Sequence, residues 1–84
     1  MQVELKLFAA LREDLGVSQE TLEVPADVRT VGDARHFLGK RSPKWQAALS
    51  SSRIRAAVDR RLAKDATQLS DACELAFFPP VTGG

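Results

Sequence analysis

Two stretches of alternating apolar and polar residues, one near each end of the chain, constrain the fold most strongly. Val3, Leu5 and Leu7 alternate with polar side chains, and this period of two predicts a half-buried β-strand. Near the other end, the segment from Glu74 to Phe78 is predicted to form the last strand. A chain of 84 residues has room for one domain, so both strands are expected in one sheet. The pattern alone leaves open whether they are neighbours.

Shorter elements lie between these two strands. Ala9 to Leu15 is predicted to form a short helical turn that Gly16 stops. Thr21 to Val24 alternates again and predicts a second strand, pairing with the first. Ile54 to Val58 predicts a third strand, followed by a turn and a short fourth element around Leu62.

Two helices are predicted in the middle of the chain. Thr30 is a candidate N-cap, with Asp33 placed to favour the free amides of the first turn. The apolar stripe of this helix consists of Val31, Ala34, Phe37 and Leu38. Ser42 and Pro43 begin a second short helix, since proline is tolerated at the first helical position. This order of elements predicts an α+β domain with a mixed sheet of four to five strands covered by helix.

Composition excludes several kinds of site. One cysteine and one histidine rule out an internal disulfide and a four-ligand zinc site, and no metal site is expected. A net charge of +1 gives no support for nucleic-acid binding. No apolar run approaches the roughly 20 residues that cross a bilayer, and the N-terminus lacks the features of a signal peptide. We therefore expect no membrane association and a cytoplasmic setting.

Each terminal strand ends with an aromatic residue out of phase. Phe8 falls on the side of Glu4 and Lys6, and Phe78 falls on the side opposite Phe77. Exposed apolar clusters of this kind mark surfaces that bind partners. The alternative is that a bulge or the short helix from Ala9 to Leu15 covers both rings.

The chain ends in a thin segment that carries its only α-carboxylate. Two prolines follow the last strand, and Val81, Thr82, Gly83 and Gly84 come after them. Glycine has no Cβ, so such a tail can enter a narrow tunnel and place its carboxylate beside a partner's nucleotide. A carboxylate is a poor electrophile and needs activation, for example as an acyl-adenylate. The alternative is a frayed terminus without a role.

The remaining polar features do not form an active site. Five basic residues, Arg53, Arg55, Arg60, Arg61 and Lys64, are interpreted as a solvated face or, alternatively, as a contact for an acidic partner. His36 has no arrangement of neighbours that suggests a catalytic triad, and Cys73 is expected to be a buried or half-buried thiol. The chain therefore has no self-sufficient active site.

Three segments carry a resemblance to a known family. The ending ELAFFPPVTGG (74–84) closely resembles the end of the molybdopterin synthase small subunits, a family of ubiquitin-like sulfur carriers. LFAALRE (7–13) looks like the first strand and helical turn of that family, and AAVD (56–59) looks like its third strand and turn. The resemblance covers essentially the whole chain. It implies a ubiquitin-like β-grasp fold in which the first and last strands are parallel neighbours.

The resemblance also implies roles for particular residues. Phe8, Leu62 and Phe78 match family positions that contribute to apolar contacts with partners. Residues 79–84 form a flexible tail on a single domain, 1–84, and Gly84 carries the adenylate and then the thiocarboxylate. Gly83 stays small for passage, while Val81 and Thr82 contact the tunnel walls.

The implied activity is sulfur delivery within molybdopterin synthase, a heterotetramer. An E1-like adenylyltransferase uses ATP to activate Gly84, and a persulfide donor replaces AMP to leave a thiocarboxylate. The tail then enters the large catalytic subunit and donates sulfur to cyclic pyranopterin monophosphate, forming the dithiolene of molybdopterin. No tightly bound cofactor is expected, because sulfur is carried covalently.

Two departures from the family concern turns. The family commonly has glycine where Ala72 stands, which puts the turn before the last strand in doubt because alanine resists a positive φ. Asp59 replaces a frequent asparagine and can serve similarly. Three alternatives to the molybdopterin role remain: a sulfur carrier for another pathway such as thiamine synthesis, a ubiquitin-like modifier joined through Gly84 to lysines, and a plain interaction module.

Overall fold

The computed structural model describes residues 1–80. Five strands and three helices follow one another along this part of the chain. They are β1 (Gln2–Leu7), α1 (Ala9–Leu15), β2 (Gln19–Glu23), α2 (Val31–Gly39), α3 (Pro43–Ser50), β3 (Arg55–Val58), β4 (Arg61–Ala63) and β5 (Cys73–Phe78). The predicted α+β domain with a mixed sheet is confirmed.

The five strands form one sheet in the order β2-β1-β5-β3-β4. The first and last strands are adjacent and parallel, with Leu5 opposite Leu75. The β1–β2, β3–β5 and β3–β4 pairs are antiparallel. The two strands that are farthest apart in sequence therefore lie together in the sheet, as the family resemblance implies.

The core lies on one side of this sheet. Alternate residues of β1 and β5 are buried, and they join the apolar stripes of α2 and α3 in one cluster. The largest fully buried side chains are Phe77, Leu5, Leu7, Leu38, Leu49, Leu75, Val3 and Val31. Burying each such side chain contributes about 1.5–3 kcal/mol, so the cluster is the main source of stability. Phe37 is only partly buried and packs at the edge of this cluster.

The helices begin where their capping residues predict. The Thr30 side chain accepts a hydrogen bond from the Asp33 amide, and the Asp33 carboxylate accepts one from the Thr30 amide, which completes a capping box. Ser42 caps α3 by accepting from the Trp45 amide. Gly16 ends α1 in the left-handed conformation, at φ 72°.

The turn before β5 keeps its left-handed conformation without glycine. Ala72 has φ 65°, and its amide donates a hydrogen bond of 2.8 Å to the Gln2 carbonyl. The Asp71 carboxylate accepts a hydrogen bond of 2.9 Å from the Gln2 amide. These two bonds join the start of β1 to the start of β5, so the turn forms despite the strain that alanine bears there.

The turn between β3 and β4 consists of Asp59 and Arg60, at φ 49° and 69°. Two successive residues in the left-handed region are typical of a tight hairpin turn, and aspartate tolerates that region better than most residues. The Asp59 carboxylate also accepts a hydrogen bond of 2.9 Å from the Glu74 amide. Asp59 therefore serves the turn, as expected, and also fixes it to β5.

Three strand boundaries differ slightly from the prediction. The second strand begins at Gln19 rather than Thr21 and ends before Val24, which is buried outside the strand. The third strand begins after Ile54, whose amide donates to the Ser51 carbonyl in a turn. The last strand includes Cys73, which pairs with β1. Two of these boundaries follow from pairing with β1, because Gln19 pairs with Lys6 and Cys73 pairs with Val3. Local alternation does not specify such pairs.

Candidate docking face and tail exit

The side of the sheet opposite the core carries the residues that the sequence singled out. Strand pairing places Lys6 beside Ala76 on this open face, and it places Ala57 beside both Ala76 and Leu62. Phe8 follows the last residue of β1, and its amide donates a hydrogen bond of 3.3 Å to the Phe77 carbonyl. The strand geometry thus continues one residue further and turns the Phe8 ring to the open face.

Phe8, Leu62 and Phe78 meet around a shallow groove on this face, with a volume of about 390 Å³. Phe8 is 45% exposed and Leu62 is 80% exposed, while Phe78 is half-buried. Ala57 and Ala76 contribute to its lining between the larger side chains. The alternative in which a bulge or α1 covers both rings is wrong, because Phe8 remains 45% exposed.

One end of the groove is charged. The Lys6 ammonium lies 2.9 Å from one oxygen of the Glu74 carboxylate, and the Arg60 guanidinium lies 3.9 Å from the other. Lys6 and Glu74 are substantially shielded, whereas Arg60 is 87% exposed. The ion pair of Glu74 with Lys6 is therefore stronger than its ion pair with Arg60, since a highly exposed ion pair contributes little stability.

The chain leaves the sheet beside this groove. β5 ends at Phe78, and Pro79 and Pro80 follow outside the strand, half-buried. The prolines line a second depression together with Ala9, Arg53 and Ile54. Because β1 and β5 are parallel, the ends carrying Phe8 and Phe78 lie at the same edge as the exit. The predicted tail residues Val81, Thr82, Gly83 and Gly84 lie outside the described residues.

The other candidate groups are placed away from the groove or out of reach of solvent. Cys73 is buried, and burial raises the pKa of its thiol, which suppresses the reactive thiolate. His36 is exposed on α2. Within residues 1–80, no group of three or more His, Cys, Asp or Glu side chains is arranged to hold a metal ion.

The basic residues do not form one patch. Arg55 pairs with Phe78 across β3 and β5, so its side chain projects from the open face of the sheet. Arg61 pairs with Val58, which places it on the other side of the sheet. Arg53 lies at the tail exit and Arg60 at the charged end of the groove.

Sequence reasoning missed four residues that shape this face. Ala57 and Ala76 leave room for the groove, and Lys6 and Glu74 form the ion pair at its end. The only signal for the two alanines is their small size at outward positions of adjacent strands, and the register that makes them neighbours comes from the fold.

A structural role also went unpredicted for Arg35. Its guanidinium donates hydrogen bonds of 2.9 Å and 3.1 Å to the carbonyls of Leu49 and Ile54 and lies 5.2 Å from the centre of the Phe77 ring. Arg35 thus connects α2 to the end of α3 and the approach to β3. These contacts support the core beneath the open face.

Comparison with known proteins gives consistent matches over nearly the whole chain. Molybdopterin synthase sulfur carrier subunits from Escherichia coli K12 and Haemophilus influenzae are 39% and 34% identical to this chain. The first alignment covers 98% of this chain and 99% of the relative, and the second covers 92% and 93%.

Solved structures and a family model agree with these matches. Crystalline SAMP1 from Haloferax volcanii is 33% identical, with a TM-score of 0.77 and full coverage of both chains. A Helicobacter pylori protein–protein complex of subunits 1 and 2 of molybdopterin-converting factor contains the same fold, with a TM-score of 0.70, 21% identity and full coverage of both chains. The predicted ubiquitin-like β-grasp fold is confirmed. The ThiS family model matches residues 5–84, and the chain belongs to the ThiS family.

Proposed function

We propose that this protein is the sulfur carrier subunit of molybdopterin synthase and that it carries sulfur as a thiocarboxylate on Gly84. The observation that supports this most directly is the position of the apolar groove beside the tail exit. A partner that binds Phe8, Leu62 and Phe78 receives the tail at the edge of its contact. Similarity to two molybdopterin synthase sulfur carrier subunits over more than nine-tenths of the chain supports the same role.

The first chemical step is activation of the C-terminal carboxylate. An E1-like adenylyltransferase binds the domain and presents ATP, and a Gly84 carboxylate oxygen attacks the α-phosphorus. Pyrophosphate leaves, and the glycyl-adenylate that forms has AMP as a good leaving group. The domain supplies a docking face and the exit of the tail at Pro79 and Pro80, while the acid–base groups belong to the enzyme.

The second step exchanges AMP for sulfur. The terminal sulfur of a persulfide donor attacks the activated carbonyl and expels AMP, and a thiol then cleaves the resulting S–S bond to leave the thiocarboxylate. Burial of Cys73 supports a tail-borne sulfur, because the single thiol of the chain is held away from solvent with a raised pKa.

The third step is delivery to the acceptor. The open face docks on the large catalytic subunit, and the tail enters its active site. The thiocarboxylate sulfur displaces an oxygen substituent from a side-chain carbon of cyclic pyranopterin monophosphate, and water hydrolyses the resulting thioester, which leaves sulfur on the pterin and restores the Gly84 carboxylate. Two carriers and two large subunits make up the proposed heterotetramer. One chain in the H. pylori complex of subunits 1 and 2 of molybdopterin-converting factor has the same fold as this protein.

Intact mass spectrometry tests the carrier chemistry. The protein is incubated with ATP, its E1-like enzyme and a persulfide donor, and a mass gain equal to exchange of one oxygen for one sulfur is expected. A variant lacking Gly84 serves as the matched control and gains nothing. An unchanged mass, with enzymes proven active on another carrier, would exclude the proposed function. Adding the large subunit and the pyranopterin then identifies the acceptor and separates this role from sulfur delivery to another pathway.

A second candidate function is conjugation to other proteins as a ubiquitin-like modifier. The observation that favours it is the full-length similarity to SAMP1 from H. volcanii; another structure of that protein carries the name small archaeal modifier protein 1. Conjugation uses the same glycyl-adenylate as sulfur transfer. The two reactions differ in the nucleophile, which in conjugation is the amine of a lysine side chain. Lysine adducts that end in the C-terminal glycines, found in cell extract by peptide mass spectrometry, would support this candidate.

A further inference from the structure

Two arginines lie near opposite ends of β3. Arg60 lines the apolar groove, and Arg55 lies outside the groove lining, next to Phe78. Arg55 begins β3 and pairs with Phe78 at the tail-exit end, and Arg60 lies in the turn that follows the strand. Ala57, which lines the groove, lies between them. At about 3.3 Å per residue along a strand, the two positions are separated by roughly 10–15 Å.

Both arginines are left largely unneutralised. Arg55 is exposed and forms no ion pair or side-chain hydrogen bond with residues 1–80. Arg60 shares the single carboxylate of Glu74 with Lys6, and Lys6 is the closer of the two. The groove is lined by two cations, Lys6 and Arg60, and by one carboxylate, that of Glu74. Arg55 lies beside Phe78 and lines a neighbouring depression that also holds Lys64 and Asp65. Cations therefore outnumber carboxylates in and beside the groove, although the whole chain carries a net charge of only +1.

We propose that Arg55 and Arg60 select a protein partner whose docking surface presents an apolar projection flanked by carboxylates. The inference rests on the proposed function and names the chemistry that the large synthase subunit must offer to this face. The apolar groove provides contact area, and the two guanidiniums accelerate and orient the encounter. Charges at the rim of an interface act mainly on association rate and specificity.

Charge complementarity argues against a second copy of this chain as the occupant. A two-fold contact through the open face brings the same patch of both copies together. The arginines of the two copies would then share one interface with too few carboxylates to balance them. A partner that supplies the missing negative charge fits the face better.

The test is the kinetics of binding to the purified large subunit by surface plasmon resonance at about 50 and 300 mM salt. The double reversal Arg55→Glu with Arg60→Glu lowers the net charge by four. It is compared with Lys44→Glu, which lowers the net charge by two at an exposed residue of α3. We expect the double reversal to slow association about tenfold at low salt, with dissociation changed less than about threefold. Lys44→Glu is expected to change the association rate less than about twofold. Raising the salt concentration should lower the association rate of the wild-type protein.

Charge-neutral variants separate the loss of positive charge from the introduction of negative charge. Arg55→Gln with Arg60→Gln should give a smaller loss of association rate in the same direction, and melting temperatures verify that each variant folds. Equal association rates for the arginine reversals and Lys44→Glu would overturn the inference and leave the proposed function standing. Absence of wild-type binding to an active large subunit would overturn both. A concentration-dependent dimer that the arginine reversals abolish would identify a second copy as the occupant and also overturn the inference.

Discussion

Replacing Leu62 with alanine is expected to weaken partner binding while leaving the fold intact. Leu62 is 80% exposed on β4, so its side chain contributes little to the core. The substitution removes three carbons, and at about 0.8 kcal/mol per buried methylene their burial against a partner is worth about 2 kcal/mol. We therefore expect the dissociation constant for the large subunit to rise about thirtyfold.

The matched control is the same substitution at Leu75, which is fully buried in β5. Leu75→Ala leaves a cavity and should lower the free energy of unfolding by about 2–5 kcal/mol, whereas Leu62→Ala should change it by less than about 0.5 kcal/mol. Isothermal titration calorimetry measures binding, and urea denaturation measures stability. A loss of stability for Leu62→Ala as large as that for Leu75→Ala would refute this prediction. A dissociation constant for Leu62→Ala within a factor of about two of the wild-type value would refute it as well.

Three further predictions concern the scaffold. Ala72→Gly relieves a positive φ and should raise the free energy of unfolding by about 0.5–1 kcal/mol; an unchanged urea midpoint would mean that the turn bears no strain. Asp33 has a lowered pKa because it accepts hydrogen bonds from the Arg29 amide and from Thr30, so its carboxylate stabilises the fold fully above the ordinary carboxyl pKa and loses this contribution as pH falls through the lowered value. The difference in urea midpoint between wild type and Asp33→Asn should therefore narrow in acid, and a constant difference would contradict the capping role. Burial raises the pKa of Cys73, so stability from its neutral thiol is complete below the ordinary thiol pKa and is lost as pH rises through the raised one. The advantage of wild type over Cys73→Ala should shrink in alkali, and a thiol reagent should react at neutral pH only as the protein unfolds.

Local chemistry made several elements predictable from the sequence. The capping box of α2 depends on Thr30 and Asp33, which are three residues apart and interact within one helical turn. The buried side of β1 follows from strict alternation, because a strand points successive side chains to opposite faces. Features of this kind need no knowledge of what packs against them.

Features that depend on pairing across the chain were beyond local patterns. Alternation predicts a strand at each end, but only the resemblance to a family implied that β1 and β5 are parallel neighbours. The start of β2 at Gln19 depends on the pairing of Gln19 with Lys6, where residue-by-residue alternation is weak. The contacts of Arg35 with Leu49 and Ile54 also join residues far apart in sequence.

In the candidate site, too, some features can be predicted from local sequence and others depend on strand pairing. The sequence shows that the rings of Phe8 and Phe78 are out of phase, which fits either an exposed partner surface or two covered rings. The 45% exposure of Phe8 favours the exposed surface. The groove itself depends on Ala57 and Ala76 being opposite each other in antiparallel strands. Two alanines in separate segments of a sequence carry no sign of that juxtaposition.

The parallel pairing of β1 and β5 connects docking to tail delivery in one geometric step. Parallel neighbours end at the same edge of a sheet, so Phe8 and Phe78 flank the point where Pro79 begins. If the pair were antiparallel, Phe8 would lie at the opposite edge, and a partner bound to both rings would have to span the length of β5. Under the proposed function, in which the C-terminus visits different enzymes in turn, one face can serve every partner, because binding that face fixes where the tail starts. The chemistry can then differ from enzyme to enzyme while the carrier's contribution remains a docking face and a carboxylate.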